Sequence, residues 1–138
     1  MIGNDGTQNV VSNVIPLPHN LNSPSLARRA VEQVVATAGV GADDKDTLLL
    51  IASELVTNAI VHGDEPINLS VSCYESDITI EVAGGNPRVE TVNIRPDDQP
   101  APGGRGLNIV AAIADQWGIR RARSGKTIWA SKAVTFVV

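Results

Sequence analysis

The sequence predicts an α/β two-layer sandwich: a mixed, mostly antiparallel sheet with three helices on one face. Some segments repeat apolar residues every three or four positions, which is typical of a helix with one apolar side. Other segments alternate apolar and polar residues, which is typical of a strand with one apolar face. Such helices and strands bury their apolar surfaces by covering each other. With 138 residues, 43% of them hydrophobic, the chain has the size of one domain.

The chain is predicted to begin with a tail and an edge strand. Residues 1–13 are polar and show no period, so we expect a flexible tail before a domain at 14–138. The segment 14–18 suits a short strand at a sheet edge, where the missing N–H of proline does no harm.

Two helices are predicted next, each with polar or glycine residues at its ends and an apolar stripe along one side. The first helix is expected to start at Asn22 or Ser23 and to end at Gly39 or Gly41. The second is expected to start at Asp43 or Asp44 and to end at Gly63. The two predicted stripes are Leu26, Ala30, Val34 and Ala38, then Leu48, Ile51, Ala52, Leu55 and Ala59.

Strands dominate the rest of the sequence. Alternation over 67–74 and again over 78–82, with a turn between them, predicts an antiparallel hairpin. Residues 83–104 have no apolar period, which is typical of a binding loop, a lid or a disordered segment. A third helix is predicted around Leu107, Val110, Ala111 and Ala114, followed by a hairpin of 117–123 and 127–130. Whether the apolar tail 133–138 extends the last strand stays open.

Composition and charge exclude several classes of protein. Aromatic residues make up 3% of the chain, so a surface for stacking nucleic-acid bases is not expected. The formal net charge of -4 argues against general affinity for nucleic acid or anionic membrane. No apolar run is long enough to span a bilayer, and the N-terminus lacks the pattern of a secretory signal. A cytoplasmic protein is therefore expected.

Glu54 and Asn58 form the first candidate site. Their spacing of four puts them on one face of the second helix, roughly 6 Å apart and off the apolar stripe. Alone, the pair is typical of a solvated helix face. A functional interpretation gains weight from the glycine-rich segment 103–106, which directly precedes a helix. The N–H groups and the positive dipole end at the start of a helix attract phosphate.

The C-terminal hairpin carries two weaker signals. Gly125-Lys126-Thr127 imitates the end of a phosphate-binding P-loop, but that motif requires glycine where this chain has Arg120, so we reject it. The basic residues Arg120, Arg121, Arg123 and Lys126 suit a solvated strand face or, alternatively, a docking patch for an acidic partner.

Three segments, in this order, resemble the histidine kinase-like (GHKL) ATPase superfamily. Residues 53–63, SELVTNAIVHG, resemble its N box, and most closely that of stand-alone bacterial anti-sigma factor kinases and their actinobacterial ATP-binding relatives. Residues 103–110, GGRGLNIV, are similar to the second glycine box, and 125–130, GKTIWA, to the closing segment. The resemblance covers about residues 15 to 131.

The resemblance implies a role for each matching residue. Asn58 would give its side-chain oxygen to a Mg²⁺ ion on the ATP phosphates, and Glu54 would act as general base. Thr127 would face the adenine end of the pocket. The phosphates would be held at the glycine box, comprising Gly103, Gly104, Arg105, Gly106 and Leu107.

One residue departs from the family pattern. Families of this type carry an aspartate after the second hairpin strand, and its carboxylate accepts a hydrogen bond from the adenine amino group. Gly84 occupies that position here. Loss of a charge-assisted hydrogen bond costs roughly 1.5 to 3 kcal/mol, which predicts ten- to a hundredfold weaker nucleotide binding. Asn86 offers an amide oxygen two residues downstream as a substitute.

Two functions of different classes follow from these residues. By the resemblance, the chain is an anti-sigma regulatory factor that binds a sigma factor and uses Mg-ATP to phosphorylate a serine of an antagonist protein. Homodimers are usual among the proteins it resembles. The alternative, motivated by Gly84, is a catalytically degenerate interaction module with this fold. A histidine-kinase fragment fits less well, because no dimerisation helix precedes the domain in this sequence.

Overall fold

The structure, a computed structural model, describes residues 11–85 and 105–137, with side chains described from 13 to 85 and from 107 to 137. Eight elements occur in these ranges. They are β1 (Val11–Leu17), α1 (Ser23–Ala38), α2 (Ala42–His62), β2 (Ile67–Tyr74), β3 (Asp77–Gly84), α3 (Arg105–Ile113), β4 (Gln116–Ala122) and β5 (Gly125–Ala133).

The five strands form one sheet in the order β1-β2-β3-β5-β4. Each of the four neighbouring pairs is antiparallel, so the predicted mixed sheet is antiparallel throughout in the described residues. The helices pack on the sheet, α1 on β1 and β2, α2 on β3 and β5, and α3 on β4. The predicted two-layer α/β sandwich is confirmed.

Helix α1 starts and ends as predicted, but its buried residues agree with the predicted apolar stripe only in part. Its C-cap, Gly39, has φ +81°, a left-handed conformation that glycine adopts without strain. Ser23 Oγ donates a hydrogen bond to the carbonyl of Pro18 from inside the first turn, and the side chain of Asn22 makes no capping bond. The predicted stripe is wrong at Leu26, which is 39% exposed, and confirmed at Val34, which is buried. The other buried residues of α1 lie outside the predicted stripe: Ser23, Ala27, Val31 and Val35.

Helix α2 is the central helix and packs against both other helices. All five residues of its predicted stripe are buried, which confirms the stripe, and Val56 and Asn58 are buried with them. Asp43 and Asp44 lie in its first turn, where carboxylates interact favourably with the helix dipole.

The predicted hairpins are present with small shifts. Strand β2 has the predicted bounds, and β3 runs to Gly84. Strand β1 begins at Val11, earlier than expected, so it includes residues 11–13 of the predicted tail; residues 1–10 lie outside the described residues. Strand β5 ends at Ala133, and the chain beyond it leaves the sheet to pair with the connection between α1 and α2 at Val40 and Phe136.

The two faces of the sheet differ in chemistry. Residues of β2, β3 and β5 that point towards the helices are apolar and buried, for example Val71, Ile80 and Ile128. The opposite face carries mostly polar residues. There, Arg120 Nη2 lies 2.9 Å from Glu81 Oε1, and both side chains are partly exposed. No helix in 11–85 or 105–137 is long and apolar enough to cross a bilayer.

The sheet has two ends, the glycine end and the tail end. The glycine end contains Leu17, Ile67, Gly84 and Gly125, which are neighbours across the strands. The tail end contains Tyr74, Asp77, Gln116 and Ala133. Helix α2 finishes at the glycine end, since the carbonyl of Asp64 accepts a hydrogen bond from Gly85 N at 2.7 Å.

Candidate functional site

The C-terminal half of α2 carries the first pair of candidate residues. Glu54 is partly buried, and Asn58, one turn further on, is only 2% exposed. The prediction that the pair lies off the apolar stripe is therefore wrong for Asn58, which is buried beside Leu55 and Ala59. A carboxamide that is buried in this way requires polar partners, and Asn58 does make at least one polar contact.

Backbone hydrogen bonds hold the end of α2 against the glycine end of the sheet. Gly63 caps the helix and donates its N–H to the carbonyl of Ala59 at 2.8 Å. His19, from the connection between β1 and α1, donates from Nε2 to the carbonyl of Gly63 at 3.0 Å. Together with the bond from Gly85 to Asp64, these contacts fix the helix end relative to β3.

Gly84 has room for a side chain. A Cβ atom added there would lie 3.9 Å from the carbonyl oxygen of Asp64 and 4.0 Å from Gly63 Cα, which are ordinary contact distances. At Gly125, by contrast, an added Cβ would collide with the carbonyl oxygen of Gly84. The backbone thus requires glycine at 125 but tolerates a larger residue at 84, and the missing side chain leaves open space beside the end of α2.

Alternation along β5 decides which residues of the closing segment face the helices. Ile128 and Ala130 are buried on the helix side, and Lys126 shares their side and is 4% exposed. Thr127 alternates to the opposite face, in register with Ala83. Lys126 therefore lies on the side of α2, and the role of Thr127 at the adenine end stays a prediction.

The predicted basic cluster is divided by the same alternation. Arg121 and Arg123 are exposed, and Arg120 pairs with Glu81 on the open face. Lys126 is buried, so a solvated strand face describes the three arginines and not the lysine. His62, on the same helix as Asn58 and one turn beyond it, is partly buried and also makes a polar contact.

A cavity of about 220 Å³ lies at the glycine end. The residues that line it include Asn68, Gly84, Gly85, Lys126 and Thr127. Small residues on neighbouring strands leave this depression, because they cannot fill the space between the larger side chains around them.

The glycine box is only partly described. Gly103 and Gly104 lie outside the described residues, and α3 begins at Arg105, with Gly106 in its first turn. Leu107 is fully buried, so its side chain belongs to the core. Helix α3 has nine residues and is therefore about 13 Å long. Its C-terminus leads into β4 at the tail end, so its N-terminus lies about 13 Å away from that connection.

Asn108 follows directly in α3 and carries a shielded polar atom. Its Oδ1 atom is hidden from solvent and has no hydrogen-bond partner among the residues that the structure describes. Asn108 is part of the segment that resembles the glycine box, but the resemblance implies no role for it.

The described side chains offer few ligands for a metal. Within 13–85 and 107–137, no three His, Cys, Asp or Glu side chains form a group that could hold an ion. The pKa of the Cys73 thiol is raised, first by burial and second by the nearby charge of Asp77. Cys73 is at the tail end of β2, where it is buried.

Comparison with protein families assigns the chain. The model of the histidine kinase-like ATPase domain matches residues 17–132, which is most of its length. The chain belongs to this family. The match spans α2, the glycine box and the hairpin of β4 and β5, so the predicted motifs lie within a histidine kinase-like ATPase domain.

A solved structure shows the same fold. The RsbU and RsbW domains of Rv1364c from Mycobacterium tuberculosis match with a TM-score of 0.69 and 16% sequence identity over 91% of this chain. The match covers 32% of that longer chain, so this ATPase domain spans about a third of its length. Comparison with curated proteins finds no match.

Two features of this ATPase domain were missed in the sequence. Lys126 was grouped with exposed arginines, although its spacing of two and four from Ile128 and Ala130 indicates the helix side of the strand. His19 gave no signal at all, because its hydrogen bond to Gly63 joins residues 44 positions apart.

Proposed function

We propose that this histidine kinase-like ATPase domain binds a Mg-nucleoside triphosphate, ATP by its family, and acts as an anti-sigma regulatory factor. In this role it binds a sigma factor and phosphorylates a serine of an antagonist protein. The nucleotide site lies between the end of α2, the start of α3 and the glycine end of the sheet. The buried Asn58, held one helical turn from Glu54 at this place, carries the proposal.

The chemistry of the donors fits Mg²⁺. Magnesium takes hard oxygen ligands and usually keeps several waters while binding one or two protein groups and the phosphates of a substrate. The Asn58 amide provides one such oxygen, and no cluster of carboxylates competes for the ion within the described residues. Bound Mg-nucleotide would supply the phosphoryl group for transfer.

Residues of the chain itself would prepare the acceptor serine. Glu54 is partly buried and on the same helix as Asn58, so its carboxylate is placed to accept the proton of a serine hydroxyl. The backbone N–H groups at the start of α3 would bind phosphate oxygens, which the dipole of the helix favours. Contacts from His19 and Gly85 hold the end of α2, so Asn58 is fixed relative to the sheet.

The anti-sigma assignment rests on the local sequence. The string SELVTNAIVHG over 53–63 resembles the N box of stand-alone anti-sigma factor kinases more than that of larger ATPases. The fold shared with the RsbU and RsbW domains of Rv1364c is compatible with this assignment.

Calorimetry with matched variants on α2 tests nucleotide binding. We expect Mg-dependent binding to the wild-type chain and a loss of at least tenfold in Asn58→Ala. Thr57→Ala is the control, because Thr57 is the neighbouring residue but is exposed. Since Asn58 is buried, circular dichroism must show that the variant is folded, and Asn58→Ser serves if Asn58→Ala is not. No heat from adenine or guanine nucleotides at any magnesium concentration would overturn the proposal.

Transfer of phosphate is tested separately, with labelled nucleotide and candidate antagonist proteins. We expect label on an antagonist serine with the wild-type chain and none with Glu54→Gln, which keeps the size of the side chain but not its basicity. Equal labelling by both proteins would remove Glu54 from the reaction.

The second candidate function is a binding module without turnover, and Gly84 favours it. The structure shows no side chain at this position and no steric need for glycine, so nothing in the backbone explains the loss of an acceptor. Binding of a sigma factor with the same affinity in the presence and absence of Mg-nucleotide, together with no transfer, would support this module.

A further inference from the structure

One side of α2 is exposed although it carries large apolar residues. Leu50 is 41% exposed and Val61 is 57% exposed, and neither belongs to the hydrophobic core. The other large apolar side chains of α2 are buried or packed against the core: Leu48, Leu49, Ile51, Leu55, Val56 and Ile60. The fold of the domain therefore does not use Leu50 and Val61.

Glu54 lies on the same side of the helix as these two residues. Residues three, four or seven positions apart are neighbours on one side of an α-helix. Leu50 precedes Glu54 by four positions, and Thr57 and Val61 follow it by three and seven. These four residues, Leu50, Glu54, Thr57 and Val61, form the exposed stripe of α2. With a rise of 1.5 Å per residue, the stripe extends about 16 Å along the helix.

Asn58 lies on the buried flank of this stripe. It follows Glu54 by four positions but comes directly after Thr57, and it is 2% exposed. In the proposed function Asn58 holds the Mg²⁺ ion of the nucleotide, and Glu54 accepts the proton of the acceptor serine. That proton transfer requires the serine oxygen within about 3 Å of the Glu54 carboxylate. Since the nucleotide lies on the Asn58 flank, the serine approaches from the exposed stripe, and the acceptor protein around it covers the apolar residues there.

The N-terminal end of the exposed stripe is acidic. Asp43 and Asp46 precede Leu50 by seven and four positions, so they lie on the same side of α2, and both are exposed. The ion pairs between described residues include neither of these carboxylates. Basic side chains of a partner would therefore be attracted to this end of the stripe.

We propose that the acceptor protein docks on the exposed stripe of α2. An apolar surface of the acceptor covers Leu50 and Val61, and basic side chains lie towards the acidic end. The inference rests on the proposed function, because it requires an acceptor serine at Glu54. The docked serine gives its proton to Glu54 while its oxygen bonds to the terminal phosphorus of ATP, and ADP leaves. Covering the two apolar side chains removes them from water, which stabilises the complex.

Transfer of labelled phosphate at varied acceptor concentration tests the docking, with the antagonist protein that the wild-type chain labels. In the double variant Leu50→Gln, Val61→Gln we expect the KM for this protein to rise about tenfold with kcat unchanged, because docking is weakened and the chemistry is not. Val14→Gln is the matched control, since Val14 is 62% exposed but lies on β1, opposite Ser70 on the open face of the sheet. An unchanged KM in the double variant would overturn the inference while leaving the proposed function intact.

Calorimetry with Mg-ATP separates docking from nucleotide binding. We expect the double variant to bind Mg-ATP with the wild-type Kd and to give the wild-type circular dichroism spectrum, because both substituted side chains are exposed. Weaker nucleotide binding in the folded variant would place the stripe in the nucleotide site and overturn the inference. No transfer by the wild-type chain to any candidate antagonist would overturn the proposed function, and the inference with it.

Asp46→Asn tests the acidic end of the stripe. We expect the KM for the acceptor to rise about threefold at low ionic strength and the difference to shrink as salt is added, because salt screens exposed charges. Asp77→Asn is the control, since Asp77 is also exposed but lies at the tail end of the sheet. Equal KM values for Asp46→Asn and the wild type at low ionic strength would overturn the assignment of basic side chains to the acceptor.

Discussion

The two ends of the sheet use their polar groups in different ways. Polar groups at the tail end pair with other groups of the chain, and most of these partners are in the backbone of the C-terminal segment. At the glycine end, polar side chains are buried around open space that glycines leave. The polar groups of the tail end therefore serve the fold, and those of the glycine end are the ones to which we assign the proposed nucleotide site.

The C-terminal segment closes the tail end. Val134 N donates to the carbonyl of Ser76 at 2.8 Å, and Thr135 N donates to Asp44 Oδ2 at 2.7 Å. Gly41 N in turn donates to the carbonyl of Thr135 at 2.9 Å. These bonds tie the chain beyond β5 to the turn between β2 and β3, to the first turn of α2 and to the connection between α1 and α2, so polar groups here stabilise the native structure directly.

The lysines of β5 show the same contrast. Lys132, at the tail end, is only partly buried and forms an ion pair with Asp115. Lys126 points to the same side of the strand but is buried at the glycine end, with Gly84 opposite it. Burying a cation is costly unless acceptors surround it, and Lys126 does make a polar contact.

Glycine substitutions at the two ends should differ most. In Gly125→Ala the new Cβ would meet the carbonyl of Gly84, and backbone cannot move aside cheaply, so we expect a loss of about 3 kcal/mol in unfolding free energy. In Gly41→Ala the nearest atoms are 3.5 Å and 3.6 Å away, so we expect a change below about 1 kcal/mol. Urea unfolding measures both, and equal losses would contradict the comparison.

Removing the acceptor at the tail end should have a moderate effect. In Asp44→Ala the N–H of Thr135 loses its partner, and we expect a loss of about 1.5 kcal/mol with nucleotide binding unchanged. Asp43→Ala controls for the helix dipole, since Asp43 also lies in the first turn of α2 and should contribute roughly 0.3–1 kcal/mol. If both variants lost the same amount, the bond to Thr135 would not be the cause.

The smallest effect is expected from Cys73, and only at alkaline pH. Burial raises the pKa of its thiol in the folded state above that in the unfolded state. The stability that this difference provides is complete below the unfolded pKa and is lost as the pH rises towards the folded pKa. Unfolding free energies from pH 7 to 10 should therefore fall less steeply in Cys73→Val than in the wild type. Parallel curves would show that the thiol does not contribute.

Local patterns in the sequence predicted the sandwich and most of its elements. Alternation over 67–74 and the stripe of α2 are short-range signals, and both correspond to the structure because one buried face is enough to produce them. The stripe of α1 was correct at Val34 and wrong at Leu26, since Leu26 and Ala27 are both apolar and only packing against the sheet decides which is buried.

The candidate site divides in the same way. The sequence by itself determined the residue types at the site, namely the N box around Asn58, the glycines and the absence of an aspartate at 84. Only the tertiary structure decided that Asn58 is buried, that Thr127 lies on the face away from the helices and that Lys126 is opposite Gly84. The pairing of Lys126 with Gly84 depends on the register between β3 and β5, about 40 residues apart, and a shift of one residue would exchange the faces of every side chain.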